Sequence, residues 1–178
     1  MKGIFRMQDL LEFIKDVNNY PKEGIIFKDL TPLLENPKAY KTAVSNMLKL
    51  IKENFPEATH IVSPEARGFW FGCPLATLGG YGFVPVRKPG KLPRETKTVS
   101  YDLEYGSEVL CIHSDSIKKG DKVLIVDDVL ATGGTLAAIE ELITNQGATV
   151  CGSLVLLELS ALNGKEAADF PVVSLITV

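Results

Sequence analysis

Val123-Leu124-Ile125-Val126-Asp127-Asp128-Val129-Leu130-Ala131-Thr132-Gly133-Gly134-Thr135 is the stretch on which the fold turns. Its first four residues are continuously apolar, the pattern of a strand covered on both faces in the middle of a parallel sheet. The strand runs into two acids, then a Thr-Gly-Gly-Thr loop, then a helix predicted over 135–146. Leu136, Ile139, Leu142 and Ile143 share one face of that helix, and Gly147 marks its end. Ligands of open α/β sheets bind beyond the carboxyl ends of the strands. A glycine-rich turn that opens a helix offers backbone N–H groups and the positive end of the dipole to an anion. Thr132 and Thr135 add hydroxyl donors.

Two acids beside an anion loop suit a ligand that also has hydroxyls to donate. A ribose 5-phosphate has both parts: a phosphate for Ala131 to Thr135 and a diol for Asp127 and Asp128. No Lys-Ser/Thr follows the last glycine, so this is not a Walker A loop, and it is not G-x-G-x-x-G either. The plainer alternative is a capped strand end and an ordinary turn. The meeting of acids, glycines and threonines at one strand–helix junction weighs against it.

Working outward, strands are expected at His60–Val62, Gly82–Val86, Val150–Leu157 and Val172–Ile176. Asn36-Pro37 reads as an N-cap and first-turn proline, with Ala43, Val44, Met47, Leu48 and Ile51 on one helix face up to Phe55-Pro56. A further helix with Pro74 as an early proline closes at Gly79-Gly80. Strands alternating with helices predict an α/β domain with a mainly parallel sheet. Leu10, Phe13, Ile14 and Val17 recur at helical spacing, predicting a short N-terminal helix that Tyr20–Gly24 breaks before an extended Ile25–Phe27. Arg87 to Thr98 is almost free of apolar residues and reads as a mobile loop, longer than most connections. Tyr101–Tyr105 and Glu108–His113 would form a hairpin around Gly106. The 178 residues are expected to make a single domain, with a hood arm over about 1–35 and a lid loop and hairpin over about 87–113.

Composition narrows the class. Apolar residues make up 46% and charged residues 23%, as in ordinary globular chains. Nineteen Lys and Arg against 22 Asp and Glu give a net charge of −3, so no basic excess exists to hold nucleic acid by counterion release. No apolar run spans a bilayer, and the first residues lack the apolar core of a signal peptide. Cys73, Cys111 and Cys151 are dispersed and odd in number, which predicts buried thiols in a reducing cytoplasm rather than a disulfide or zinc site.

The 123–135 stretch resembles the phosphoribosyl diphosphate (PRPP) signature of type I phosphoribosyltransferases. Other segments, in the same order along the chain, resemble the adenine-specific family: Tyr20-Pro21 through Gly24–Thr31, Glu65-Ala66-Arg67-Gly68-Phe69, Val86–Pro93 and Tyr101–Gly106. The resemblance implies a Rossmann-like core with a small N-terminal hood and a flexible lid. It implies transfer of phosphoribose from PRPP to adenine, giving AMP and pyrophosphate. Mg²⁺ would be held through PRPP and water rather than by protein ligands. A cytoplasmic homodimer binding neither nucleic acid nor membrane is implied as well.

Residue by residue, the resemblance gives Asp127, Asp128, Ala131, Thr132, Gly133, Gly134 and Thr135 to ribose and 5-phosphate. Glu65, Ala66, Arg67, Arg87, Lys88 and Lys91 fall to pyrophosphate, with a cis peptide at Glu65-Ala66. Glu104 is the implied acid/base group and Tyr105 the aromatic closing the lid. Ile26, Phe27, Lys28 and Leu159 would meet adenine. The family usually carries arginine where Lys28 stands, and lysine lacks the planar fork. For Arg67 the alternative is a surface ion pair, for Glu104 an exposed hairpin residue, and for Tyr105 a packed core position. Glu108 reads as exposed. A sister transferase for another base and a PRPP-binding regulator are the competing functions.

Overall fold

The computed structural model describes residues 7–103 and 106–178. A 3-10 helix, Met7–Phe13, leads into β1 (Lys15–Asn18), β2 (Ile26–Asp29), α1 (Thr31–Glu35) and α2 (Pro37–Asn54). Then come β3 (His60–Pro64), α3 (Phe69–Gly79), β4 (Gly82–Val86), β5 (Thr96–Leu103) and β6 (Gly106–His113). β7 (Lys122–Leu130), α4 (Gly134–Thr144), β8 (Thr149–Glu158) and β9 (Val172–Thr177) complete the chain, with two short 3-10 turns between β8 and β9.

The chain divides into two units, Met1–Asn46 and Met47–Val178. In the first, β1 and β2 pair antiparallel, Lys15 opposite Asp29 and Asn18 opposite Ile26. The helical reading of 10–17 therefore fails beyond Phe13. Asn19 and Gly24 both take positive φ and reverse the chain, so the N–H groups of 15–18 find partners on β2 instead of within a helix. At α2 the reading holds: the Asn36 side chain accepts from the N–H groups of Lys38 and Ala39, and Ala43, Val44, Met47 and Ile51 are buried.

The second unit is built on a five-stranded sheet, ordered β4-β3-β7-β8-β9 and parallel throughout. Val123 to Val126 are essentially inaccessible in it, as a two-sided central strand requires. The strand order reverses between β3 and β7, because β3 leads out to β4 while β7 returns to its other side. Ligands sit at such a reversal, beyond the carboxyl ends of the two strands. β7 continues through Asp127 and Asp128 to Leu130, so the acids extend from the sheet itself rather than from a following turn.

β5 and β6 form a separate antiparallel pair, with Thr96 opposite His113 and Leu103 opposite Gly106. The predicted loop is thus shorter than 87–98. Arg87 bridges to Cys111, and β5 already begins at Thr96. The polar run Thr96–Thr98 is the exposed start of a strand whose Val99 is buried. Only Cys111 of the three cysteines is buried; Cys73 is exposed and Cys151 half-buried.

Candidate active site

Two chain segments meet where the strand order reverses. After β3 the turn Glu65–Gly68 contains a cis Glu65-Ala66 peptide, at the position that the family resemblance implies. After β7 the loop Ala131–Gly133 opens α4. Gly133 has a φ of 86°, and a Cβ there would stand 2.4 Å from the Gly164 carbonyl oxygen, so only glycine fits. Gly68 is equally confined: its Cβ would lie 2.8 Å from the Pro64 carbonyl oxygen and 3.0 Å from Asp127 Oδ1.

A cavity of about 310 Å³ lies between these segments. Its wall includes Glu65, Ala66, Arg67, Gly68, Lys88, Asp127, Asp128, Ala131 and Thr135. A smaller pocket of about 100 Å³ adjoins the loop and is lined by Asp127 and all of Ala131 to Thr135. Groups far apart in sequence therefore surround one space: the turn after β3, the end of β7, the start of α4, and the Arg67 and Lys88 cations.

Arg67, Arg87 and Lys88 are each held by a carboxylate. Arg67 Nε donates to Asp128 Oδ2, and its guanidinium lies 6.0 Å from the centre of the Trp70 ring. Arg87 donates from Nε (3.1 Å) and Nη2 (2.9 Å) to Glu65 Oε2, while the Lys88 N–H donates to Glu65 Oε1 (2.7 Å). Burial opposes ionisation of Glu65, but these donors outweigh it and lower its pKa. Glu65 is thus a brace for the start of the basic loop, and Arg87 stands behind it. Lys91 is exposed, and its carbonyl accepts from Arg87 Nη1 at 3.3 Å. Lys88 Nζ meets Glu108 Oε1 at 2.9 Å, Tyr101 OH donates to Glu108 Oε2 at 3.1 Å, and Tyr101 OH also meets Thr135 Oγ1 at 3.3 Å.

Asp127 differs from these paired acids. Burial, and then the charge of Asp128, push its pKa well above the usual carboxylate range, although the Asp128 N–H donates to its Oδ1 at 2.8 Å. A raised folded-state pKa means the carboxylate destabilises the ligand-free protein once it ionises. That penalty is absent below the ordinary carboxylate pKa and complete above the raised one. Asp127→Asn keeps the acceptor and removes the charge. It should raise the ligand-free Tm near neutral pH by on the order of 2–4 °C, the shift that about 1 kcal/mol produces in a chain of this size. Thermal melts across pH should show the gain shrinking as pH falls; a pH-independent or negative shift would contradict burial and the Asp128 charge as the origin of the penalty.

Sequence reasoning placed Glu108 on the outside, and the structure turns it inward. In β6 it shares a face with Leu110 and Ile112, both buried, and it lines the 310 Å³ cavity with Tyr101. Strand geometry puts 108, 110 and 112 on one face, but residues 109–112 are all apolar, so the residue pattern alone does not mark that face as the inward one. The role of 160–167 was also missed: Gly164 packs so closely on the loop that its Cβ would lie 2.2 Å from the Ala131 carbonyl oxygen. Glu104 and Tyr105 lie outside the described residues. Ile26, Phe27 and Lys28 stand on β2, where Lys28 Nζ pairs with Asp16 at 2.7 Å and Ile26 is 54% exposed. Leu159 follows β8, and its N–H donates to the Leu130 carbonyl at 2.9 Å.

Among the described residues no three His, Cys, Asp or Glu side chains form a metal cage, and no helix is long and apolar enough to cross a membrane. The carboxylates on the cavity wall are Glu65, Glu108, Asp127 and Asp128, of which Glu65 is engaged by Arg87, Glu108 by Lys88 and Asp128 by Arg67. With three of the four already paired, this wall fits a Mg²⁺ that would take most of its ligands from phosphates and water.

Known proteins are similar along nearly the whole chain. The model of the phosphoribosyl transferase domain matches residues 29–178. The adenine phosphoribosyltransferase of Kosmotoga olearia is 52% identical over 170 residues, 95% of this chain and 99% of that protein. The crystal structure of adenine phosphoribosyltransferase from Thermoanaerobacter pseudethanolicus superposes with a TM-score of 0.94 at 43% identity, covering 97% of this chain and all of that one. The Saccharomyces cerevisiae enzyme, solved with an imino-altritol bisphosphate and adenine, gives a TM-score of 0.91 at 40% identity, covering 95% of this chain and 97% of that one.

Proposed function

Because the chain belongs to the phosphoribosyltransferase family, we infer that its cavity is the site at which phosphoribose passes from PRPP to adenine, giving AMP and pyrophosphate. The observation that carries this reading is the convergence of the 65–68 turn, the Asp127–Asp128 pair and the 131–135 loop on one space at the strand reversal.

Displacement at the anomeric carbon builds positive charge on the ribose ring and negative charge on the departing pyrophosphate. The loop N–H groups and the Thr132 and Thr135 hydroxyls hold the 5-phosphate. Asp127 and Asp128 accept from the ribose hydroxyls, and their charge favours the cationic ring. The N–H groups at Ala66 to Gly68, with Arg67 and Lys88, receive pyrophosphate as charge develops on it. Arg87 supports Lys88 through Glu65, and Lys91 adds positive charge at the loop. Asp127 and Asp128 are the residues beside which a Mg²⁺ carried by PRPP and water would lie, and it would supply further neutralisation of the polyanion. Glu104 is the acid/base group for the purine proton, and Tyr105 closes the lid. The family resemblance gives Ile26, Phe27 and Leu159 to the base, with the main chain at Ile26 and Lys28 for its polar edge. The dispersed free cysteines suit a cytoplasmic protein, and a homodimer is the assembly that the family resemblance implies.

The test is base selection. Adenine presents a donor at its 6-amino group and an acceptor at N1, and hypoxanthine reverses both. Two buried backbone groups facing the wrong partner cost about 1–3 kcal/mol each, so kcat/KM should favour adenine by roughly 10²-fold or more. Lys28→Ala should keep that preference, since main-chain groups carry it. Comparable kcat/KM for the two bases would leave the family in place and remove the selection of adenine; no turnover with any base would favour a PRPP-binding regulator.

A further inference from the structure

We propose that Glu108 competes with pyrophosphate for the Lys88 ammonium and so speeds release of that product. The inference rests on reading the 310 Å³ cavity as the pyrophosphate subsite.

The cationic side chains on the cavity wall are Arg67 and Lys88, and each is already in contact with a carboxylate. Asp128, the partner of Arg67, has a second task on the ribose. Glu108 has none in the reaction, yet it is held facing inward. β6 turns it to the same side as Leu110, one oxygen meets Lys88 Nζ at 2.9 Å, and the other accepts from Tyr101 OH at 3.1 Å. Tyr101 fixes a side chain that would otherwise swing to solvent, for Glu108 retains 35% exposure. A fixed carboxylate beside a polyanion site costs affinity twice, by repulsion and by occupying a cation the ligand needs. It also offers Lys88 an immediate partner when the ligand leaves. Product release limits turnover in many enzymes, so weaker holding of a product can raise rate.

Glu108→Gln keeps size and the acceptor for Tyr101 but removes the charge. Titration calorimetry with inorganic pyrophosphate at fixed Mg²⁺ should show binding tightened by roughly 3–10-fold, with AMP affinity unchanged. Pyrophosphate should inhibit the forward reaction more strongly by the same factor. Tyr101→Phe unfastens the carboxylate without discharging it and should tighten pyrophosphate binding less, in the same direction. Unchanged or weaker pyrophosphate binding in both variants, with folding intact by thermal melt, overturns the proposal. A wild-type protein that makes AMP but binds no pyrophosphate at this cavity removes the subsite and the proposal together.

Discussion

Asp128→Asn is expected to raise the KM for PRPP by roughly 10²–10³-fold while leaving the KM for adenine within about threefold. The carboxylate is 5% exposed and does two things at once. It accepts from ribose hydroxyls, and hydrogen bonds to a charged group contribute about 1.5–3 kcal/mol each. It also holds Arg67 through Nε, so the substitution takes the Asp128 charge away from a half-buried guanidinium. That guanidinium loses the carboxylate that fixes it at the cavity wall, so the loss is expected to spread to a second part of the same substrate. Steady-state kinetics with each substrate varied in turn decides the matter. Unchanged PRPP parameters in a folded variant would take Asp128 out of the site. The contrast with Asp127→Asn is informative, since Asp127 is repelled in the empty protein and its replacement should stabilise the fold even as PRPP use falls.

Glu104→Gln should lower the rate of the chemical step by roughly 10²–10⁴-fold, the usual contribution of positioned proton transfer. The residue follows directly on Leu103, the end of β5, and the same strand carries Tyr101 to the cavity wall. Glutamine keeps the shape and hydrogen-bonding capacity but cannot exchange a proton with the purine. The rate is to be read in single turnover, because slow product release would mask a large loss in kcat. Near-wild-type single-turnover rates would assign Glu104 a structural place and shift the proton to water or another group.

The local chemistry of this chain was legible from residue order. A two-sided apolar strand, a pair of acids and a glycine-rich loop lie within thirteen consecutive residues, and the helix cap at Asn36 lies within four. Interactions at such short range are fixed by backbone geometry and patterning alone, so α2 and α4 emerged close to their observed limits, while the strand read at 123–126 runs on to Leu130 as β7 and Pro74, read as early in its helix, sits in the middle of α3. What failed was decided by pairing across the chain. Residues 15–18 carry helical spacing yet form a strand, because β2 supplies the partners. Thr96–Thr98 read as loop because their polar face is solvated, whereas β6 supplies their ladder.

The site shows the same division. Sequence named Asp127, Asp128, Arg67 and Lys88 as a set, but not which carboxylate faces which cation. Those pairings join residues 61, 22 and 20 positions apart, and only the strand order brings them within hydrogen-bond reach. Pairing likewise distinguishes two adjacent aspartates: Asp128 answers Arg67, while Asp127 is left with desolvation and a like charge to raise its pKa. Glu108 is the sharpest case. Its composition-level reading is a solvated hairpin charge, and a one-residue choice of strand face turns it into the wall of the cavity. Sequence sets the chemistry available to this chain; the register of its strands decides which groups meet, because side-chain direction in a sheet alternates with every residue.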